Sequence, residues 1–224
     1  MKKLTVLFLL GMFASRGFAQ SKYSITPEIG YNKTSFYNTA QTTEIVTAPL
    51  YGIELGGLVT KSGKKGLFIE SGLFFEQKGS YQGRGYQALY GTNSNIKISY
   101  LQIPLNVGLH KKLKNKDWGI LASIGVYGAY GISGTENGTS LGISGTSTIN
   151  RNVTFVSSVT APNSNTTYVK PLDFGYQAAV GASYKNLIAK IGYSRGFNSV
   201  SPDGSTSYKN DVWTFSLGYK INLL

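Results

Sequence analysis

Cysteine is absent from the chain, and histidine occurs once, as His110. Those two gaps exclude a disulfide scaffold, cysteine-ligated metal, a lipid anchor on cysteine and a histidine-rich metal site. A single histidine also makes a hydrolytic triad a poor expectation, and no catalytic residue is assigned. Charge is scarce: only 14% of the 224 residues are Asp, Glu, Lys or Arg, which is little for a surface that meets water all round. Glycine-rich phosphate loops and metal-ligand spacings are missing too, so no cofactor and no metal are expected. A helix across a bilayer needs about 20 apolar residues. The stretch that comes nearest, Trp118 to Thr135, has 18 residues without a charge but carries five glycines, and its large residues alternate. A strand fits it better.

What the chain does have is glycine (28), tyrosine (16) and phenylalanine (11), with 41% hydrophobic residues. This is the composition of ordered, strand-rich structure. The first residues have a different purpose. Lys2 and Lys3 precede an apolar run of eleven residues, Leu4 to Ala14, and Gly17 and Ala19 stand at the −3 and −1 positions of a cut before Gln20. That layout predicts a secretory signal over 1–19 and a mature domain over 20–224. Removing Lys2, Lys3 and Arg16 leaves 19 basic and 10 acidic side chains. The basic residues fall in short clusters, Lys61/Lys64/Lys65 and Lys111/Lys112/Lys114/Lys116. They read as solvated turns, and for an exported chain nucleic acid is not an expected partner.

The mature chain repeats with period two. Trp213, Phe215, Leu217, Tyr219 and Ile221 alternate with Thr214, Ser216, Gly218 and Lys220. Leu101, Ile103, Leu105, Val107 and Leu109 do the same against Gln102, Pro104, Asn106, Gly108 and His110. The pattern predicts eight strands, at 22–32, 50–60, 66–77, 96–110, 117–131, 171–185, 187–197 and 211–223. Their connections alternate short (61–65, 111–116, 185–186) and long (33–49, 78–95, 132–170, 198–210). An even set of strands joined this way is an all-β, antiparallel, up-and-down transmembrane barrel. In hydrocarbon such a sheet must close, so the last strand pairs with the first. A soluble barrel would turn its charges outward. Here the polar face is mostly Gly, Ser, Ala and Thr, suited to a narrow lumen, while Tyr51, Trp118, Tyr184, Trp213 and Tyr219 mark girdles near the strand ends.

Several short motifs then carry a family likeness. They are Ser71-Gly72-Leu73, Gln77-Lys78-Gly79, Tyr100-Leu101-Gln102-Ile103-Pro104-Leu105, Asp173-Phe174-Gly175 and Ser216-Leu217-Gly218-Tyr219. Over about 66–224 the chain resembles the PorT-like outer-membrane β-barrel family of Bacteroidetes. The resemblance implies an eight-stranded outer-membrane barrel, and the family's named member is linked to protein secretion. The family pattern has Glu where this chain has Gln102.

Charges on the inward face are the candidate site. Glu28, Glu54, Glu70, Lys190 and Lys220 share the polar face and are expected to form a lumenal network that plugs the barrel. Pairing Thr60 with Gly66 across the 61–65 turn would set Glu54 diagonal to Glu70. In loop 78–95, Tyr81, Arg84, Tyr86 and Tyr90 could stack on a sugar or a partner protein. His110, beside Lys111 and Lys112, reads as a turn-flanking residue. Gly-Ile-Ser-Gly-Thr occurs at 131–135 and again at 142–146, and Thr154 to Val156 suggest a hairpin above the membrane. The expected function is that of a monomeric, non-enzymatic envelope scaffold or interaction barrel. A small-solute pore and a lipid-modifying enzyme are the alternatives. Its expected partners are outer-membrane lipid, the barrel-insertion machinery and an envelope or secretion-complex protein.

Overall fold

The computed structural model describes residues 22–38, 45–84, 91–114, 117–142, 145–159, 163, 166–202 and 207–223. The 1–19 signal lies outside the described residues. In chain order the strands are β1 (Lys22–Asn38), β2 (Ile45–Ser62), β3 (Leu67–Arg84), β4 (Gly91–Lys112), β5 (Trp118–Gly142), β6 (Gly145–Phe155), β7 (Thr167–Val169), β8 (Leu172–Tyr184), β9 (Leu187–Gly196), β10 (Tyr208–Tyr219) and β11 (Ile221–Asn222). Eight of them form a closed antiparallel ring, β1-β2-β3-β4-β5-β8-β9-β10. Closure runs from Glu28↔Gly218 to Asn38↔Tyr208, and β11 extends it with Ser24↔Asn222. No helix among the described residues is long and apolar enough to cross a membrane.

The ring follows from the alternation. In β1, Ser24, Thr26, Glu28, Asn32 and Thr34 are buried inside, while Tyr23, Ile25, Ile29 and Tyr31 face outward. Ile124 is 66% exposed and Val180 60%, on an outer wall made of large aliphatics. Such a wall suits hydrocarbon, and a water-facing barrel would invert it. Aromatic pairs bound the belt. Trp118 and Tyr184 pack at 4.9 Å near the short turns, and Tyr31/Tyr51 (5.5 Å) and Tyr193/Trp213 (5.1 Å) pack at the other end.

The strands exceed the sequence expectation at one end. Much of the expected loops 33–49, 78–95 and 132–170 is strand: β3 continues to Arg84, β4 starts at Gly91, and β5 runs to Gly142 before turning into β6. A tilted strand needs only about 9–11 residues to cross a bilayer, whereas β4 has 22 and β5 has 25. Beyond the girdle the outer face meets water. Outward positions such as Lys97 and Ser99 are polar there, so the alternation fades while the hydrogen-bonded ladder goes on. The second Gly-Ile-Ser-Gly-Thr repeat falls at the β5–β6 tip, where Gly142 pairs with Gly145.

One register also differs from expectation. Thr60 pairs with Glu70, and Ser62 with Phe68, so Glu54 stands opposite Glu76 and is not diagonal to Glu70. The reason lies in the turn, a single 3-10 turn over Lys64–Gly66. Lys65 (φ 60°) and Gly66 (φ 83°) take the left-handed conformation, which moves the reversal two residues along the chain.

Candidate functional site: the lumen and the tall sheet

The interior is layered. Nearest the short turns, His110 Nε2 lies 2.9 Å from Ser183 Oγ, and Asn106 donates to Glu70 Oε1 at 3.1 Å. Lys220 borders this layer with Glu70 and His110. Ser183 is buried.

The next layer surrounds a cavity of about 80 Å³ lined by Glu28, Glu54, Glu70, Glu76 and Lys190. Lys190 Nζ meets Glu28 Oε1 at 2.7 Å, with both side chains largely buried. Gln177 Nε2 donates to Asn106 Oδ1 at 2.6 Å. Glu54 borders this cavity beside Gly30. Of the five charges singled out in the sequence, the fold therefore joins Glu28 to Lys190. Glu54 and Glu70 line the same space, and Lys220 sits one layer lower.

Above the cavity lies the most buried charge among the described residues. Lys78 has no solvent exposure. Its ammonium reaches Gln102 Oε1 at 2.7 Å, Asp173 Oδ2 at 3.2 Å and Glu76 Oε2 at 3.4 Å. It also stands 4.2 Å from the Tyr127 ring centre and 5.4 Å from that of Tyr100. Tyr127 Oη (3.2 Å) and Asn210 Nδ2 (2.9 Å) donate to Asp173 Oδ2. Asn32 Nδ2 donates to Glu76 Oε1 at 3.3 Å and is itself held by Thr214. Two carboxylates, an amide oxygen and two ring faces thus replace the water that a lysine loses on burial. Over this cluster, Phe36, Ile96, Ile98, Val153, Val169 and Val200 form an apolar cap.

The sequence pattern ends the third strand at residue 77 and so leaves the Lys78 cluster outside the expected site. Two signals pointed to it. Glu70, Glu76 and Lys78 share one parity, and Lys78, Tyr100, Gln102 and Asp173 all belong to the motifs behind the family likeness. Four residues from three separate motifs meet in one buried place.

The tall sheet is the second candidate. Above the girdle β2, β3, β4 and β5 stay paired, and β6 adds to β5 from Gly142↔Gly145 to Thr135↔Asn152. β7 pairs with β6 only from Val153 to Phe155, and among the described residues no strand pairs with the far edge of 146–150. Arg151 Nε meets Glu136 Oε2 at 3.3 Å, and Thr167 Oγ1 donates to the same oxygen. Of the aromatic loop group, Tyr81 is half-buried in β3 between Ala48 and Asn95. Arg84 ends β3, and Tyr86 and Tyr90 lie outside the described residues.

Residues 18–201 match the family model of the outer membrane protein beta-barrel domain. No curated protein matches the chain in sequence. Among solved structures, OprG from Pseudomonas aeruginosa is 12% identical with a TM-score of 0.47, covering 89% of this chain and 96% of its own. Ail, the attachment invasion locus protein of Yersinia pestis, is 10% identical with a TM-score of 0.44, covering 88% and 98%. Neisserial surface protein A is 8% identical with a TM-score of 0.44, covering 89% and 97%. Likenesses this distant carry no functional argument.

Proposed function

The chain belongs to the outer membrane protein beta-barrel domain family, and from that premise we propose that it is a closed, non-enzymatic barrel holding a tall β-sheet at the cell surface as an interaction platform. The carrying observation is the contrast between the two ends of the lumen axis. At the level of Lys78 the interior holds a charge cluster and an apolar cap. The 22 and 25 residues of β4 and β5 meanwhile continue well past the girdle. A conduit has no use for the first feature, and an anchor alone has no use for the second.

In this reading the short turns and both termini face the periplasm once a signal over 1–19 has been removed and the insertion machinery has closed the ring. The open edge of β6 accepts an extended segment of an envelope or secretion-complex protein by strand addition, the mode open edges favour. The finer likeness to PorT-like barrels of Bacteroidetes rests on the motif residues gathered around Lys78.

The test is a mild-detergent pull-down of the tagged chain from its native outer membrane, alongside planar-bilayer recordings. A stoichiometric partner, lost when residues 138–149 are replaced by a short turn, supports the proposal. Steady single-channel conductance by the intact chain would overturn the closed-lumen reading in favour of a pore.

A further inference from the structure

The lipid-facing wall contains a recess. Most outward positions carry large side chains, but where β5, β8 and β9 adjoin they are Ala122, Ala182 and Ala189. Ala182 pairs with Ala189, so the wall flattens across the β8–β9 boundary, and Ala122 stands one row on beside Ile120, which pairs with Ala182. The result is an almost wholly apolar groove of about 720 Å³, walled by Leu109, Ile191 and Phe215.

The groove lies near the short-turn end of the wall, and lysines are gathered at that end. Lys111 lines the groove and pairs with Ile120, one row from the Trp118–Tyr184 pair. Lys185 Nζ lies 5.5 Å from the Tyr184 ring centre. The other short connections hold Lys64, Lys65, Lys114 and Lys116 in the sequence, and the only acid in any of them is Asp117. Aromatic rings at this depth mark the boundary between hydrocarbon and headgroups. Lysines beside them can extend their ammonium groups into the headgroup layer.

We propose that the groove and the lysines at its mouth hold an anionic phospholipid, with an acyl chain laid over the three alanines and the phosphate against Lys111 and Lys185. The groove alone would accept a chain from any lipid. The unbalanced lysines select the headgroup, as basic clusters at an anionic membrane surface do. The inference does not depend on which leaflet this end occupies, nor on what the tall sheet binds.

Native mass spectrometry tests it on the full-length chain in non-ionic detergent, titrated with phosphatidylglycerol or phosphatidylcholine of identical acyl chains. Phosphatidylglycerol should be retained at least about tenfold more than phosphatidylcholine. Lys111→Gln with Lys185→Gln should remove that preference, and the corresponding Arg pair should keep it. Ala182→Phe, which fills the recess, should lower retention of both lipids. Equal retention of the two lipids by the unmodified chain would overturn the proposal, as would a preference that survives the glutamine pair. Displacement of the lipid by glycerol phosphate alone would overturn the role given to the groove.

Discussion

Lys78 and Asp173 lie 95 positions apart in the chain, and their side chains meet at 3.2 Å with no exposure to solvent. Their strands are not neighbours: β4 and β5 stand between β3 and β8 in the ring. The contact therefore crosses the lumen and braces the barrel from within. A buried ion pair of this kind is weak evidence of net stabilisation, but removing one partner leaves the other charged and unsolvated.

Lys78→Met should cost roughly 3–5 kcal/mol by leaving Glu76 and Asp173 without their cation. Loss of heat-resistant gel mobility at a lower temperature is the readout. Adding Glu76→Gln and Asp173→Asn should recover much of the loss, because no charge then remains to be stranded. A triple variant no better than the single would contradict this account.

The two lower lysines should differ. Lys190 is paired with Glu28 at 2.7 Å, whereas Lys220 borders Glu70 and His110 one layer below. Replacing Lys190 with Met should cost about 2 kcal/mol, the usual scale for a hydrogen bond to a charged group. The same change at Lys220 should stay within about 0.5 kcal/mol. Denaturant titrations of the two variants in one detergent would rank them.

Gly66 cannot be replaced without strain. Its φ is +83°, and a methyl group there would collide with the His110 carbonyl oxygen. Gly66→Ala should destabilise the barrel by about 1 kcal/mol or more. Because this turn sets the β2–β3 register, the variant should also refold more slowly in detergent. Refolding at the parental rate would argue against a register-setting role.

Trimming the β5–β6 tip should separate anchoring from recognition. With residues 138–149 replaced by a short turn, heat-resistant mobility should remain, since the apolar cap keeps Val153, Val169 and Val200. Partner capture should be lost. A trimmed chain that no longer inserts would mean that the sheet contributes to folding of the ring.

The ring was legible in the sequence because a membrane imposes a severe rule on the outer face: every second residue must suit lipid. Trp213, Phe215, Leu217 and Tyr219 obey it, and so do Leu101 to Leu109. Strand ends were less legible, because past the girdle the rule lapses and Lys97 and Ser99 stand where an aliphatic would otherwise be. In the lumen, parity alone identified the inward faces of Glu28 and Lys190, which do meet. It could not fix the partner of Glu54, since that depends on where the chain reverses, and the left-handed Lys65 gives no sign of itself in composition. Lys78 falls just past residue 77, where the sequence pattern ends a strand that continues to Arg84.

The unequal strands have one more consequence. β4 and β5 run 22 and 25 residues, while β9 and β10 run 10 and 12. A cylinder with a rim so oblique has a front and a back. Spinning about the membrane normal, it sweeps its longer strands past its neighbours on one side and its shorter strands on the other. Encounters with another membrane-bound molecule thus depend on rotational as well as translational diffusion. Tethering the barrel against rotation would change how often it meets a partner without altering a single contact in the complex.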